Sequence, residues 1–347
     1  MNTVGHVFRK EIRKKKRSCQ IGGNRMELNS TSLVTWLLKG DISVQYQTHR
    51  DLLDSPTETT EKLRKRIPSE GWGKSFLDKR DNHTGLWGKG LYSPKWISTH
   101  YTLLDLKNIG LDPSCPHYAE SGMILLDGMW TSKGQVKKYR YQDLCVCAMV
   151  LGMCCYGKLQ SEKLNEIADY ILEKQYPDGG WNCRWDKGAL HSSLHTTLSV
   201  LEAFRDYEAN GYSYRLAEIK ESIHGAWEFI LTKKLFRSAR SGEIIDQKML
   251  MLSYPCRWKY DILRCMDYFA SVRKGYDERM EEALGLIIDK KRKNNRWPVQ
   301  HKHAGIVYFD MEQTGGDSRW NTLRVLRMLR FYRPELYNDL IQYKGEA

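Results

Sequence analysis

A chain of 347 residues with 41% hydrophobic content is long enough for one large folded domain or two ordinary ones. Its net charge of +13 is concentrated in residues 1–25, which hold eight Lys or Arg against one Glu. The body is therefore only mildly basic, and a nucleic-acid partner is not expected. No apolar run of about 18 residues occurs and no apolar core follows the basic start, so neither a transmembrane segment nor a secretion signal is expected. Nine scattered cysteines suit reduced thiols and a cytoplasmic location better than a disulfide framework.

In chain order, residues 1–25 read as a basic, solvated extension, and a single domain is expected over 26–347. Alternating β-branched runs are scarce, and the long segments read as helices joined by loops that carry Gly, Pro and Trp, so the fold class is all-α. The loop "TGLWGKGLYSPKW" leads into "ISTHYTLLDL". "RYQDLCVCAMVLG" opens an apolar helix, and "SEKLNEIADYILEKQ" gives an amphipathic one. "DGGWNCRWDKGALHSSLHTTLSVL" repeats the Trp loop before a helix in which Leu190, Leu194, Leu198 and Leu201 form an apolar stripe. His191 and His195 lie one turn apart beside that stripe. "RLAEIKESIHGAWEFILTKK", "YPCRWKYDILRCMDYF" and "NRWPVQ…GGDSRWNTLRVLRML" complete the series.

The three Trp-loop segments are the clearest copies of one unit, with amphipathic second helices such as "SEKLNEIADYILEKQ" and "RLAEIKESIHGAWEFILTKK" between the copies. Aligned on the shared Thr-Leu pair, the first positions are His100, His195 and Trp320; two weaker copies, Asp143-Leu-Cys-Val and Tyr260-Asp-Ile-Leu, add Asp143 and Tyr260, and the spacings along the chain are 43, 52, 65 and 60 residues. Each spacing holds a helical hairpin and its loop. Hairpins stacked with a constant turn form an open solenoid or a closed ring, and periodicity leaves both open.

"YILEKQYPDGGW", Tyr170 to Trp181, resembles the Gln-Trp repeat of squalene-hopene cyclases, and the pattern over residues 70–330 resembles the terpenoid cyclase and protein prenyltransferase superfamily. The resemblance implies an α/α toroid of about five to six helical hairpins, with the aligned first positions around one mouth of a central cavity. The cyclase branch carries an Asp-x-Asp-Asp acid motif. This chain lacks it, and "YFDMEQ" offers only Asp310 and Glu312, so terpene cyclisation is disfavoured. The protein prenyltransferase branch holds zinc with an Asp-x-Cys pair and a His from the next inner helix. Asp143, Cys145 and His195 match that register, with His191 or Cys183 as supporting groups.

Carboxylate, thiolate and imidazole form a normal zinc set with one position left open. Against this stands the plainer alternative: Asp143 caps a helix, Cys145 fills the core, and His195 bonds to a neighbouring helix. Tyr260, Asp261, Arg264, Arg319 and Trp320, with His100 and His191, are the candidate substrate-binding residues. They offer an acid, cations and aromatic walls for an anionic head group with an apolar tail. Asp261 paired with Arg319, and Trp320 in the core, is the structural alternative. The resulting expectation is a zinc-dependent, prenyltransferase-like toroid acting on an isoprenoid-like or elongated apolar substrate. A non-catalytic toroid binding a protein or lipid partner, and a glycan-active toroid, are the alternatives.

Overall fold

The computed structural model describes residues 32–131 and 142–342, so the basic extension lies outside the described residues. The described chain is helical, as expected. It consists of α1 (Leu33–Leu38), α2 (Ile42–Asp51), α3 (Thr57–Arg64), α4 (Gly71–Leu77), α5 (Thr99–Ile109), α6 (Pro116–Met129), α7 (Leu144–Tyr156), α8 (Glu162–Glu173), α9 (Leu194–Ala209), α10 (Leu216–Thr232), α11 (Ile262–Ser271), α12 (Glu281–Ile288), α13 (Arg319–Tyr332) and α14 (Pro334–Gln342). Two-residue strands, β1 (Trp297–Pro298) and β2 (Asp317–Ser318), pair antiparallel just before α13. No helix among the described residues is long and apolar enough to cross a membrane.

Local signals explain the helix ends. Asp41, Asp261 and Ser318 turn side-chain oxygens onto backbone N–H groups of the first turns of α2, α11 and α13. Gly110, at φ 89°, closes α5 in the left-handed conformation that a side chain disfavours. Helix α7 is apolar all round and buried from Leu144 to Cys155, so it needs neighbours on every side. It packs against α5, α6, α8 and α9.

A tryptophan clamp recurs three times. Trp87, Trp181 and Trp297 are fully buried. Their indole N–H groups donate to the carbonyls of Phe76, Ile171 and Ile287, at the ends of α4, α8 and α12, each at 2.7 Å. Their backbone N–H groups donate to the hydroxyls of Thr99, Thr197 and Thr322 in α5, α9 and α13, at 2.9–3.0 Å. One side chain thus satisfies the end of one helix and pins the start of the next. The clamp confirms the register between α9 and α13 but shifts it in α5, where the equivalent threonine is Thr99 and not Thr102.

Helices α2, α5, α9, α11 and α13 join one another by polar contacts. Gln47 in α2 donates to the Asn108 carbonyl in α5 at 2.9 Å. Arg264 in α11 forms a two-pronged pair with Glu202 in α9, at 3.0 and 2.6 Å. Arg324 and Arg327 in α13 reach Asp267 in α11, and Arg327 also reaches Gln47 and Asp51 in α2. Helices α3, α6, α8, α10, α12 and α14 pack against this series.

Helices α7 and α9 pack closely at Gly152, where an added Cβ would stand 3.3 Å from both the Ala203 Cα and an Asp206 carboxylate oxygen. Gly152→Val should therefore lower stability by about 1–3 kcal/mol in urea unfolding, because the backbone of α9 cannot step aside cheaply. An unchanged midpoint would show that the contact is loose.

Candidate functional site

Two regions gather chemistry. The first lies where the loops leading into α5, α11 and α13 are laced together. Trp96 N–H donates to the Ile306 carbonyl at 2.7 Å, Ile306 N–H returns to Lys95 at 2.9 Å, and Leu252 and Gln300 exchange two bonds. The Lys95 ammonium stands 5.4–5.7 Å from the ring centres of Tyr92, Trp96 and Trp258. Around it lie several of the aligned residues. The His100 ring meets Tyr92 edge-on at 5.2 Å, and the His195 ring meets Trp258 at 5.4 Å. His195 Nδ1 accepts the Tyr260 backbone N–H at 2.8 Å. Trp320 is separate: it stacks on Tyr254 and touches Trp72.

The expected metal residues take individual places. Asp143 is the N-cap position of α7 without a side-chain capping bond, and burial raises its carboxyl. Cys145 Sγ is hydrogen-bonded to Cys183, which together with burial pushes the Cys145 thiol well up and holds Cys183 below the usual thiol range. Cys183 Sγ also accepts the Cys145 N–H at 3.0 Å and the Thr196 hydroxyl at 3.3 Å. Burial, with Lys259 and Arg264 nearby, lowers His195 to about 4. Among the described residues, no group of three or more His, Cys, Asp and Glu side chains is placed to hold a metal ion. His195 Nδ1 is turned to the Tyr260 backbone N–H and Cys183 Sγ to the Cys145 N–H, so Asp143, Cys145 and His195 are not gathered around one point among the described residues, and no step is derived through zinc.

His191 is corrected. Helix α9 starts only at Leu194, so His191 is not one helical turn before His195. Ser192 N–H is bound by Asp178 and Ser193 N–H by the Trp181 carbonyl, which keeps this stretch outside the helix. His191 is exposed, and Leu190, 80% exposed, is not part of the apolar stripe. Arg319 and Asp261 do not pair: Arg319 donates to the Trp36 carbonyl at 3.0 Å and lies over the Trp36 ring, while Asp261 caps α11.

The second region is a cavity of about 750 Å³ bounded by α2, α5, α9, α11 and α13, with Tyr156 from the end of α7. Tyr254, Tyr268, Met311 and Trp320 are among its walls, and so are Asp105, Arg257, Glu202, Arg264, Asp267 and Arg324. Those six charges form pairs: Arg257 with Asp105, Arg264 with Glu202, and Arg324 with Asp267. Burial alone would raise Glu202, but the Arg264 guanidinium beside it keeps it below the usual carboxylate range. Ten Lys or Arg against six Asp or Glu line the whole cavity, an excess of four positive charges.

Glu312 stands next to these walls, accepting the Trp320 N–H at 3.0 Å and the Ser318 hydroxyl, and burial raises it to about 7. Sequence reasoning missed Lys95, Trp258, Asp105, Arg257 and Glu202. The cluster "YSPKWISTH" held the aromatic and cationic signal for the first of these. No family model matches the chain, and no match is found among curated proteins.

Proposed function

We propose that the chain is a closed α/α toroid whose lumen binds an anionic, hydroxyl-rich ligand, an acidic glycan. Closure is supported by the unbroken series of contacts α2–α5–α7–α9–α11–α13–α2, with the Arg327 bonds to Asp51 and Gln47 linking last to first. The observation that carries the ligand class is the cavity lining. Its guanidiniums and carboxylates outnumber its aliphatic side chains, and its charge excess is positive. An isoprenoid tail would meet mostly charged wall, at a desolvation cost that apolar contact does not return. A glycan finds hydrogen-bonding partners in the ion pairs and aromatic wall in Trp320, Tyr254 and Tyr268, while its carboxylates meet the surplus cations.

Calorimetric titration with oligogalacturonate, neutral maltooligosaccharide and farnesyl diphosphate tests this reading. The acidic sugar should bind, its affinity should fall with added salt, and Arg273→Ala, a rim cation of the cavity, should weaken it about 3–10-fold, the scale of one charge-assisted contact. Binding of farnesyl diphosphate alone would favour the isoprenoid reading, and binding of none of the three would remove the glycan proposal.

A further inference from the structure

The geometry points to Cys183 and Cys145 as a dithiol redox site, in which Cys183 attacks a hydroperoxide and Cys145 resolves it to a disulfide. The two residues belong to different elements, the loop after the Trp181 clamp and the first turn of α7, and the fold sets the Cys183 sulfur 3.0 Å from the Cys145 backbone nitrogen. Cys183 Sγ is held as an acceptor. It receives the backbone N–H of Cys145 at the start of a 13-residue helix, and the Thr196 hydroxyl from the facing α9. Donors converging on one sulfur favour its anionic form, which is the form that attacks. Cys183 is partly exposed, whereas Cys145 is buried. Cys147, Cys154, Cys155 and Cys265 are also buried, and Cys256 lies in the cavity wall between Asp261 and Arg324.

The chemistry balances with a hydroperoxide as the oxidant. The Cys183 thiolate attacks one peroxide oxygen, the O–O bond breaks, and the departing oxygen takes up a proton, leaving Cys183 as a sulfenic acid. The Cys145 sulfur then attacks the Cys183 sulfur, the S–O bond breaks, and water leaves with the Cys145 proton. Two thiols and one hydrogen peroxide become one disulfide and two waters. The bond would tie the clamp loop to the start of α7, next to the laced loops around Lys95.

The test is equimolar hydrogen peroxide on the full chain, followed by alkylation in denaturant and peptide mapping. The expected result is loss of two alkylatable thiols of the nine, recovered as one peptide pair joined through Cys183 and Cys145, and reversed by dithiothreitol. Cys145→Ser should leave Cys183 as a sulfenic acid that dimedone labels, and Cys183→Ser should abolish both products, with circular dichroism reporting whether each variant folds. Oxidation of Cys115 or Cys256 ahead of Cys183, or full alkylation of both residues after peroxide, would overturn the proposal. So would protection of both thiols that a zinc chelator relieves, because the sulfurs would then serve a metal.

Discussion

Trp181→Ala should lower the unfolding free energy by about 3–5 kcal/mol, the usual scale for truncating a fully buried tryptophan. The ring is sealed from solvent and packs edge-on against Phe204 of α9 at 6.1 Å. Its loss opens a cavity between α8 and α9 and removes the 2.7 Å indole bond from the Ile171 carbonyl, which keeps only the Lys174 backbone N–H at 3.2 Å. Because Trp87 and Trp297 make the same two bonds in their own units, their alanine variants should fall in the same range. Leu190→Ala, at an exposed position, should change stability by less than about 0.5 kcal/mol. Denaturant midpoints at constant slope check the set. A loss under about 1 kcal/mol at Trp181 would mean that the clamp is decoration on a helix pair held by other contacts.

Acid should expose a second large effect, centred on His100. The imidazole is fully buried between Tyr92 and Tyr101, and burial, with the Lys95 charge nearby, lowers it to about 3 from an ordinary 6.5. Above pH 6.5 the ring is neutral whether the chain is folded or not. As the pH falls below 6.5 the unfolded chain takes up a proton that the native ring refuses, so stability is lost progressively towards pH 3. From pH 6.5 to 4.5 the loss should reach about 2–3 kcal/mol relative to His100→Phe, which keeps a ring between the tyrosines without the titration. Glu312 acts with the opposite sign. Its native value of about 7 gives stability that is present below 4.5 and lost as pH rises through 7. That term is common to both chains and cancels in the comparison. Parallel pH profiles for the two chains would show that His100 is protonated in the fold.

The sequence pattern of a Gly or Asn before Trp, ahead of a Leu-spaced helix, located the repeat because the clamp is local: donor and acceptor lie about 10 residues apart at Ile171 and Trp181. The register within each copy was less legible. Thr99 and Thr102 offer the same letter one turn apart, and only the bond to Trp87 N–H distinguishes them. Leu190 and His191 matched a helical period, but the tether from Asp178 and Trp181 ends that period before it begins.

The cavity was hardest to read. Arg264 reads as a binding residue, but its partner Glu202, and Asp267 with Arg324, look like solvated faces of separate helices; the pairs form across separations of 62 and 57 residues. Likewise Cys183, a spare thiol in the sequence, is 38 residues from the Cys145 N–H it accepts. Such pairs follow from how the helices are arranged around one another, which residue spacing does not encode.

Crystals soaked with oligogalacturonate offer the most direct measurement of where a ligand sits. The account predicts sugar density inside the cavity bounded by α2, α5, α9, α11 and α13, against the aromatic wall near Trp320 and Tyr254, with a carboxylate within about 3 Å of a cavity guanidinium. Density confined to the outer groove between α8 and α10, or an empty lumen in crystals of a chain that binds the sugar in solution, would contradict it.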